Sequence, residues 1–290
     1  MAVVEDVVVD YYERIWSRFV LWWEAEKTLG LHYALYEKGI KTFEQGVFNM
    51  SDYVGRLLCL NKKNEMNILD AGCGVGGTSI YLAKKYPNLR FTGITITPGQ
   101  LVLANKFVTE RKLNNADFML QNYMETDFSD EYFHNIFALE SASYARNKKN
   151  FIKEMYRILT PGGRLAIIDA FLTSTPHNYF MKVLHDLTCI GRGVPIDADM
   201  NLQEFKEYLK EEGFIDIQVK DLSMNVARSQ FRSFIIGIPF FLSSIIKFIV
   251  NRGKIDLTNN PDFSLGASVL CALYGVFGSA KYCSITAVKN

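Results

Sequence analysis

Short apolar runs alternate with amphipathic segments along the chain from residue 67 onward. The apolar runs predict β-strands at 67–72, 90–95, 117–121, 136–140 and 164–171. The segments between them carry apolar residues at helical spacing and predict helices at 78–87, 98–112 and 149–159. The repeated order of strand, helix and strand is typical of an α/β protein, in which a parallel sheet is covered by helices on both faces.

Two segments depart from this alternation. Residues 1–60 are aromatic and helical in pattern, and residues 173–278 hold one helix–strand pair before a long apolar block. The alternating run at 282–289 predicts a last strand. Because open α/β sheets bind ligands at the carboxyl edge of their strands, we expect both outlying segments to cover that edge. The predicted domains are an N-terminal helical cover at 1–60, a cofactor-binding core at 61–172, a substrate lid with inserted helix–strand elements at 173–281, and a final core strand at 282–290.

The apolar block contains the run SFIIGIPFFLSSII at 233–246. It is shorter than the roughly 18 apolar residues that a membrane span needs, and Arg232, Pro239 and Lys247 interrupt or bound it. The pattern therefore predicts a buried lid helix and no span. A surface that contacts lipid peripherally, or that holds an apolar substrate, is the alternative.

Composition narrows the class of protein. The 290 residues include 49% hydrophobic residues, and 32 Lys and Arg balance 31 Asp and Glu to give a net charge of +1. A nucleic-acid partner is not expected, since such proteins usually show a basic excess. Five cysteines without a CxxC pair, and an acidic N-terminus without a basic signal region, favour the cytoplasm and offer no metal site.

The segment ILDAGCGVGGTS at 68–79 carries the strongest chemical signal. An apolar strand leads into a glycine-rich turn and then a helix, so a ligand can approach the backbone at Gly72, Gly74 and Gly76. Gly72, Gly74 and Gly77 also satisfy the dinucleotide pattern G-x-G-x-x-G. A nicotinamide-binding site usually has an acidic residue about 20 residues further on, which binds a ribose hydroxyl. This chain has Thr95 there. That position weakens the interpretation as a dehydrogenase.

Several separated segments resemble one branch of the class I S-adenosylmethionine-dependent methyltransferases. This branch includes tocopherol, sterol, isoprenyl-diphosphate and cyclopropane-fatty-acid enzymes. The resemblance rests on GITITPGQ at 93–100, LHYALYEKG at 31–39, ALESASYARNKKNFIKEMYRILTPGGRL at 138–165 and the closing KYCSITAVK. It implies a Rossmann-like, doubly wound, mostly parallel seven-stranded sheet with an α-helical lid, and S-adenosylmethionine as the cofactor, with S-adenosylhomocysteine as the product.

The resemblance also implies a set of cofactor-binding residues. Asp70 and the glycine turn are expected beside the methionine part, while Thr95 and Gln100 offer neutral hydrogen bonds to the ribose or adenine. Asn122 stands where the branch often has Asp, and a simple turn residue is the alternative there. The full set is Asp70, Gly72, Cys73, Gly74, Gly76, Thr95, Gln100, Asn122, Tyr123, Glu140 and, as an aromatic wall, Tyr12.

Glu140 is the first candidate for catalysis. It ends an apolar strand at the carboxyl edge, where partial desolvation raises a carboxyl pKa, and the family uses a glutamate here. It alternatively caps the following turn. His32 and Tyr33 are second candidates, because the segment that carries them is expected to fold over the site, and a histidine there suits O- or N-methylation.

These observations favour a methyltransferase that acts on a hydrophobic or amphipathic small molecule, in specialised metabolism. An isoprenoid or lipid C-methyltransferase is the alternative within the family, although the sequence offers a diphosphate only the scattered Arg192, Arg228 and Arg232. A nicotinamide-dependent oxidoreductase and a non-catalytic cofactor-binding scaffold are the alternatives from other classes.

Overall fold

The fold is built around one seven-stranded sheet. The computed structural model describes residues 2–62, 65–174, 178–196, 198–251, 260–276 and 280–290. The strands are β1 (Asn67–Ala71), β2 (Arg90–Thr95), β3 (Ala116–Leu120), β4 (Phe133–Leu139), β5 (Leu159–Leu172), β6 (Phe214–Asp221) and β7 (Ala280–Lys289). Their order in the sheet is β3-β2-β1-β4-β5-β7-β6, and only β7 runs antiparallel to its neighbours. The predicted Rossmann-like, mostly parallel seven-stranded α/β sheet is confirmed.

Helices cover both faces of this sheet and its carboxyl edge. They are α1 (Ala2–Trp23), α2 (Ala25–Thr28), α3 (Phe43–Leu57), α4 (Gly77–Lys85), α5 (Pro98–Glu110), α6 (Lys148–Ile158), α7 (Tyr179–Arg192), α8 (Leu202–Glu212), α9 (Ser223–Val250) and α10 (Pro261–Val276). A short 3₁₀ helix (Ala142–Tyr144) follows β4.

Neighbouring strand residues point into two separate cores, as the pleat of a sheet requires. Ile68 and Phe137 pack under α3, α4 and α5, whereas Leu69 and Ile136 pack against α6 and α8. All four side chains are fully buried. Strands buried on both faces explain the continuous apolar runs in the sequence. The sheet therefore holds the carboxyl ends of β1, β2 and β4 rigidly side by side.

The N-terminal segment is fastened over that carboxyl edge by polar contacts. Glu13 on α1 accepts a hydrogen bond from the backbone N–H of Gly99 (2.8 Å) at the start of α5. The hydroxyl of Ser229 on α9 accepts one from the backbone N–H of Ala34 (3.0 Å). Tyr36 and Asn225 exchange two further hydrogen bonds at 2.9 and 3.0 Å. The segment that follows α2 is thereby held between the sheet edge and α9.

The segment predicted as a substrate lid contains two kinds of structure. Within it, α8 packs on α6, and β6 joins the main sheet beside β7, so the inserted helix–strand pair extends the core. The helices α7 and α9 each pack on α10, and the three helices form the cover.

The expectation of a buried lid helix at 233–246 is wrong. This run lies inside α9, which continues through Pro239 to a length of 28 residues. Only 17% of its most apolar 18-residue window is buried, although the helix is long and apolar enough to cross a bilayer. The apolar pattern identified a helix, but it could not reveal which of its faces packs on the protein.

Candidate active site

A cavity of about 760 Å³ opens at the carboxyl edge of β1, β2 and β4. Its size is typical of small-molecule sites. Nearly all of the residues predicted to bind the cofactor or to act in catalysis line this cavity: Tyr12, His32, Asp70, Gly72, Cys73, Gly74, Thr95, Gln100, Asn122, Tyr123 and Glu140. Gly76 and Tyr33 are not among its lining residues.

The glycine turn forms the floor of the cavity. Gly72 and Gly74 have φ angles of 91° and 55°, a region that favours glycine. A side chain on Gly74 would project between Leu31 and Gln100, with its Cβ 3.2 Å from the leucine Cδ1, into space that is otherwise open. The turn therefore leaves a cradle in which a ligand can touch the backbone.

Gly76 has a different role from the predicted one. It has a φ of 81° and caps the N-terminus of α4. A Cβ there would lie 2.4 Å from the ring of Phe118, so the glycine is required by packing behind the turn. The sequence pattern could not separate this structural glycine from Gly72 and Gly74, which line the cavity, although a Cβ on Gly72 would also lie 2.5 Å from Ser141 Cβ.

Asp70 lies at the end of β1, almost completely buried. Its Oδ2 accepts a hydrogen bond from Ser79 (2.7 Å). Burial raises the pKa of Asp70 to about 7, against the smaller opposing effect of the Ser79 hydroxyl. A cationic group in the cavity, such as an amino group, would stabilise the ionised form.

Thr95 and Gln100 form a pair at the end of β2. The Thr95 hydroxyl donates to Gln100 Oε1 (2.9 Å) and accepts from the backbone N–H of Thr97 (3.2 Å). The amide oxygen of Gln100 is therefore already hydrogen-bonded to Thr95. The edge that an acid fills in nicotinamide-binding proteins is thus neutral here.

Asn122 and Tyr123 form the wall beyond β3. Asn122 Oδ1 accepts from the backbone N–H of Met124 (2.9 Å), which is the contact expected of a turn residue. The Tyr123 hydroxyl donates to the backbone oxygen of Ser141 (2.9 Å). Asn122 therefore both shapes its turn and lines the cavity, so its two predicted roles are compatible.

Glu140 follows the last residue of β4 with a φ of 50°, which turns its side chain toward the cover. Its Oε1 accepts hydrogen bonds from the backbone N–H of Tyr33 and the hydroxyl of Tyr282, both at 2.7 Å. Burial raises the pKa of Glu140 to about 7, and these two donors oppose the rise. Within the described residues both donors reach the same oxygen, and the Glu140 side chain lines the cavity.

His32 and Tyr33 are placed less favourably for catalysis. His32 Nδ1 contacts the backbone oxygen of Tyr33 (3.1 Å), and Nε2 lies 3.5 Å from the hydroxyl of Thr78. Burial lowers the pKa of His32 to about 4, so the ring is a weak base. Tyr33 contributes its backbone N–H to Glu140, while its ring packs on Trp23 and Tyr282.

Aromatic side chains close the cavity from the side of the cover. The hydroxyl of Tyr12 on α1 donates to that of Tyr144 (3.0 Å), which in turn donates to the backbone oxygen of Arg192 (3.2 Å). Their rings are 5.8 Å apart. Aromatic faces of this kind suit a sulfonium cation and exclude water.

Three contributors were missed from the sequence. Ser141 donates to the backbone oxygen of Ala71 and packs on Gly72, Tyr144 closes the wall opposite Tyr12, and Tyr282 holds Glu140. Ser141 and Tyr144 directly follow Glu140 in the SASY segment, so their proximity in sequence was a usable signal. Nothing local marks Tyr282, which is 142 residues away from its partner.

The residues present fit S-adenosylmethionine. The cavity combines a cradle at Gly74, a buried carboxylate at Asp70 for an amino group, and neutral polar groups at Gln100 and Asn122 for the nucleoside. A cationic cofactor also suits the aromatic wall at Tyr12.

Comparison with known proteins agrees with this geometry. Residues 68–163 match the family model of a methyltransferase domain. Tocopherol O-methyltransferase from Arabidopsis thaliana chloroplasts is 34% identical over 108 residues, which are 37% of this chain and 31% of that protein. The chain thus matches less than a third of this relative's length. The 27-O-demethylrifamycin SV methyltransferase of Amycolatopsis mediterranei is 26% identical over 219 residues, 75% of this chain and 74% of that protein.

A solved structure shares the whole fold. The cyclopropane synthase MmaA2 from Mycobacterium tuberculosis superposes with a TM-score of 0.81 over 98% of both chains, at 16% identity. Sheet order and cavity thus define the class I methyltransferase architecture. The family model shows a methyltransferase domain at 68–163, and the relatives that match this chain are methyltransferases.

The cradle at Gly74 predicts a steric test of the cofactor site. Gly74→Val places a branched side chain in the open space of the turn, so affinity for S-adenosylhomocysteine should fall by about 10–100-fold. Gly162→Val is the matched control, because its φ of 73° imposes the same backbone strain with no atom within 4 Å. Titration calorimetry measures both variants. Equal affinities in the two variants would place the cofactor elsewhere.

The raised pKa of Glu140 predicts a dependence of stability on pH. A proton is bound more tightly in the folded state, so this group destabilises the fold as pH rises from about 4.5 to about 7. Glu140→Gln lacks this effect. Its free energy of unfolding relative to the parent should therefore increase across that window, by at most about 3 kcal/mol. Urea denaturation at pH 5 and pH 8 measures it, and a constant difference would contradict the burial of the charge.

Proposed function

We propose that this protein transfers a methyl group from S-adenosylmethionine to a hydroxyl of a hydrophobic or amphipathic small molecule, with Glu140 as the general base. The observation that carries the proposal is the Glu140 carboxylate, which lines the cofactor cavity and which, in the part of the chain that the structure describes, is held by Tyr33 and Tyr282 through Oε1. The relatives named above include O-methyltransferases of tocopherol and a demethylrifamycin, which supports this acceptor class.

The chain's own residues have to orient the acceptor, exclude water and take one proton. S-adenosylmethionine, when bound, supplies the activated methyl group. Glu140 Oε2 accepts the hydroxyl proton as the new oxygen–carbon bond forms, while Tyr33 N–H and Tyr282 O–H keep Oε1 fixed. A base with a pKa of about 7 is about half ionised at neutral pH and is still able to bind the proton. The rings of Tyr12 and Tyr144 shield this step from water.

An apolar acceptor is favoured by the walls that the cover contributes. Val8 on α1, together with Leu29 and Leu31 in the segment after α2, lines the same cavity as the glycine turn. Leu139 adds an apolar side chain from the end of β4. Such walls bind an acceptor through burial of apolar surface, with Glu140 fixing the orientation of its polar group.

The arginines that the sequence suggested for a prenyl diphosphate do not form a clamp, although Arg146, Lys153 and Arg157 line the cavity. Arg228 and Arg232 lie on α9, where they stack on the rings of Tyr36 and Phe43, and neither lines the cavity. Of the three arginines considered for a clamp, only Arg192 is close to the aromatic wall. A lipid or isoprenoid without a diphosphate remains compatible with the site, and its C-methylation would also use Glu140. The cytoplasm is the proposed compartment, and a small molecule is the proposed partner.

Loss of the carboxylate should separate catalysis from cofactor binding. Glu140→Gln retains size and the acceptor oxygen, so affinity for S-adenosylhomocysteine should stay nearly constant while turnover falls by about 10²–10⁴-fold. Release of S-adenosylhomocysteine with a panel of apolar phenols and alcohols measures turnover. Glu110→Gln on the exposed side of α5 is the control. If turnover survives and binding collapses, Glu140 belongs to the cofactor site.

Tyr282 should set the pH at which the enzyme becomes active. The carboxylate form is required, so kcat/KM should rise with pH through about 7. Tyr282→Phe removes a donor that stabilises the ionised form, which raises the pKa of Glu140 and moves this rise to higher pH.

Tyr53→Phe is the matched control. It removes another buried tyrosine hydroxyl bonded to β7, that of Tyr53 to Ser284 at 2.9 Å, without touching Glu140. A pH profile that shifts equally in both variants would show that Tyr282 acts only through general stability.

A further inference from the structure

The polarity of α9 is reversed relative to that of a helix on a water-facing surface. Its buried positions form one stripe of mostly small or hydroxyl-bearing residues: Val226, Ser229, Ser233, Gly237 and Ser244. Its outward positions carry large apolar side chains, each at least 40% exposed: Met224, Phe231, Ile235, Leu242, Ile245, Ile246, Phe248, Ile249 and Val250. A surface helix in water normally turns its apolar stripe toward the core. A helix that faces lipid typically packs small residues against the protein and points large aliphatic residues outward.

The inward stripe is fixed to the protein along most of the helix. Ser229 accepts from the backbone N–H of Ala34, and the backbone oxygen of Ser233 accepts from the hydroxyl of Ser268 (2.8 Å) on α10. Gly266 of α10 lies directly against the backbone of Phe241. A helix held by protein on one side along this length has only its outer face available, so it lies on a surface and does not cross it.

The charges on α9 identify the kind of surface. The helix contains three cations and no acidic residue. Arg228 and Lys247 are exposed and stand near the two ends of the outward apolar face. Their long side chains can extend to a polar interface while the residues between them enter an apolar layer. Among the described residues, the ion pairs of this cluster join the cations Arg18, Arg232 and Lys247 to two acids, Glu24 and Asp262, and Arg228 adds a fourth cation.

We propose that the outward face of α9 docks the protein on an anionic lipid bilayer. The apolar side chains between Arg228 and Lys247 enter the interfacial region. Arg228 stacks on Tyr36, and Lys247 shares Asp262 with Arg18, so these ends of the face carry a positive charge that attracts anionic headgroups. The face belongs to the cover of the active site, because α9 packs on α10 and α10 packs on α1, the helix that carries Tyr12. A docked protein would therefore present its cover to the phase in which apolar acceptors accumulate.

Flotation with vesicles tests this docking without any substrate. The full chain should float with vesicles of phosphatidylcholine and phosphatidylglycerol in equal parts, and less with phosphatidylcholine alone. The double variant Ile235→Glu/Leu242→Glu should lower the ratio of bound to free protein by at least about tenfold, because it places two charges in the apolar layer. The matched control Val102→Glu/Ile215→Glu adds the same charges to exposed apolar positions on α5 and β6 and should bind like the parent.

Three outcomes would overturn the proposal. The first is that the parent fails to float, and the second is that both double variants float equally well. The third is a dimer in light scattering that Ile235→Glu/Leu242→Glu converts to a monomer, which would show that a second copy covers the face. Retained binding of S-adenosylhomocysteine by both double variants confirms that they fold. Because binding to vesicles is measured without turnover, failure here leaves the proposed methyl transfer untouched, and the reverse also holds.

Discussion

The hydrogen bonds to Glu140 join three distant parts of the chain. A carboxylate at the end of a buried strand loses much of its hydration, and it is tolerated only when donors replace the lost water. The donors come from the N-terminal segment, through the backbone N–H of Tyr33, and from the last strand, through the hydroxyl of Tyr282. The position of the cover over the sheet edge and the chemistry of the cavity therefore depend on the same charged group.

The carboxyl group of Asp70 is a second acid that is buried at this edge of the sheet. Asp70 and Glu140 end the adjacent strands β1 and β4, and burial is the largest cause of the raised pKa of each. A cavity that holds two such carboxylates and several aromatic rings is costly in the absence of a cation. A ligand with an amino group and a sulfonium removes part of that cost, which is a physical reason for this site to prefer such a cofactor over a neutral or anionic one.

The sequence predicted the sheet well because its strands are buried on both faces and its helices have a clear period. The cavity floor was predictable for a related reason: carboxyl ends of parallel strands meet at one edge, so Asp70, Thr95 and Glu140 had to approach one another. Two kinds of feature could not be predicted from the sequence. The partnership of Glu140 with Tyr282 depends on long-range topology, and the exposure of α9 depends on which face packs, which an almost wholly apolar run does not encode.

The most direct test of this account is the titration of the Glu140 side chain. Carbon-13 NMR of the glutamate carboxyl groups follows each one with pH, and Glu140→Gln assigns the signal by its disappearance. The account predicts a glutamate that titrates near pH 7 and loses its signal in that variant. A Glu140 that titrates near the ordinary glutamate pKa of about 4.3 would contradict it, because a solvated carboxylate neither organises the cover nor serves as the base.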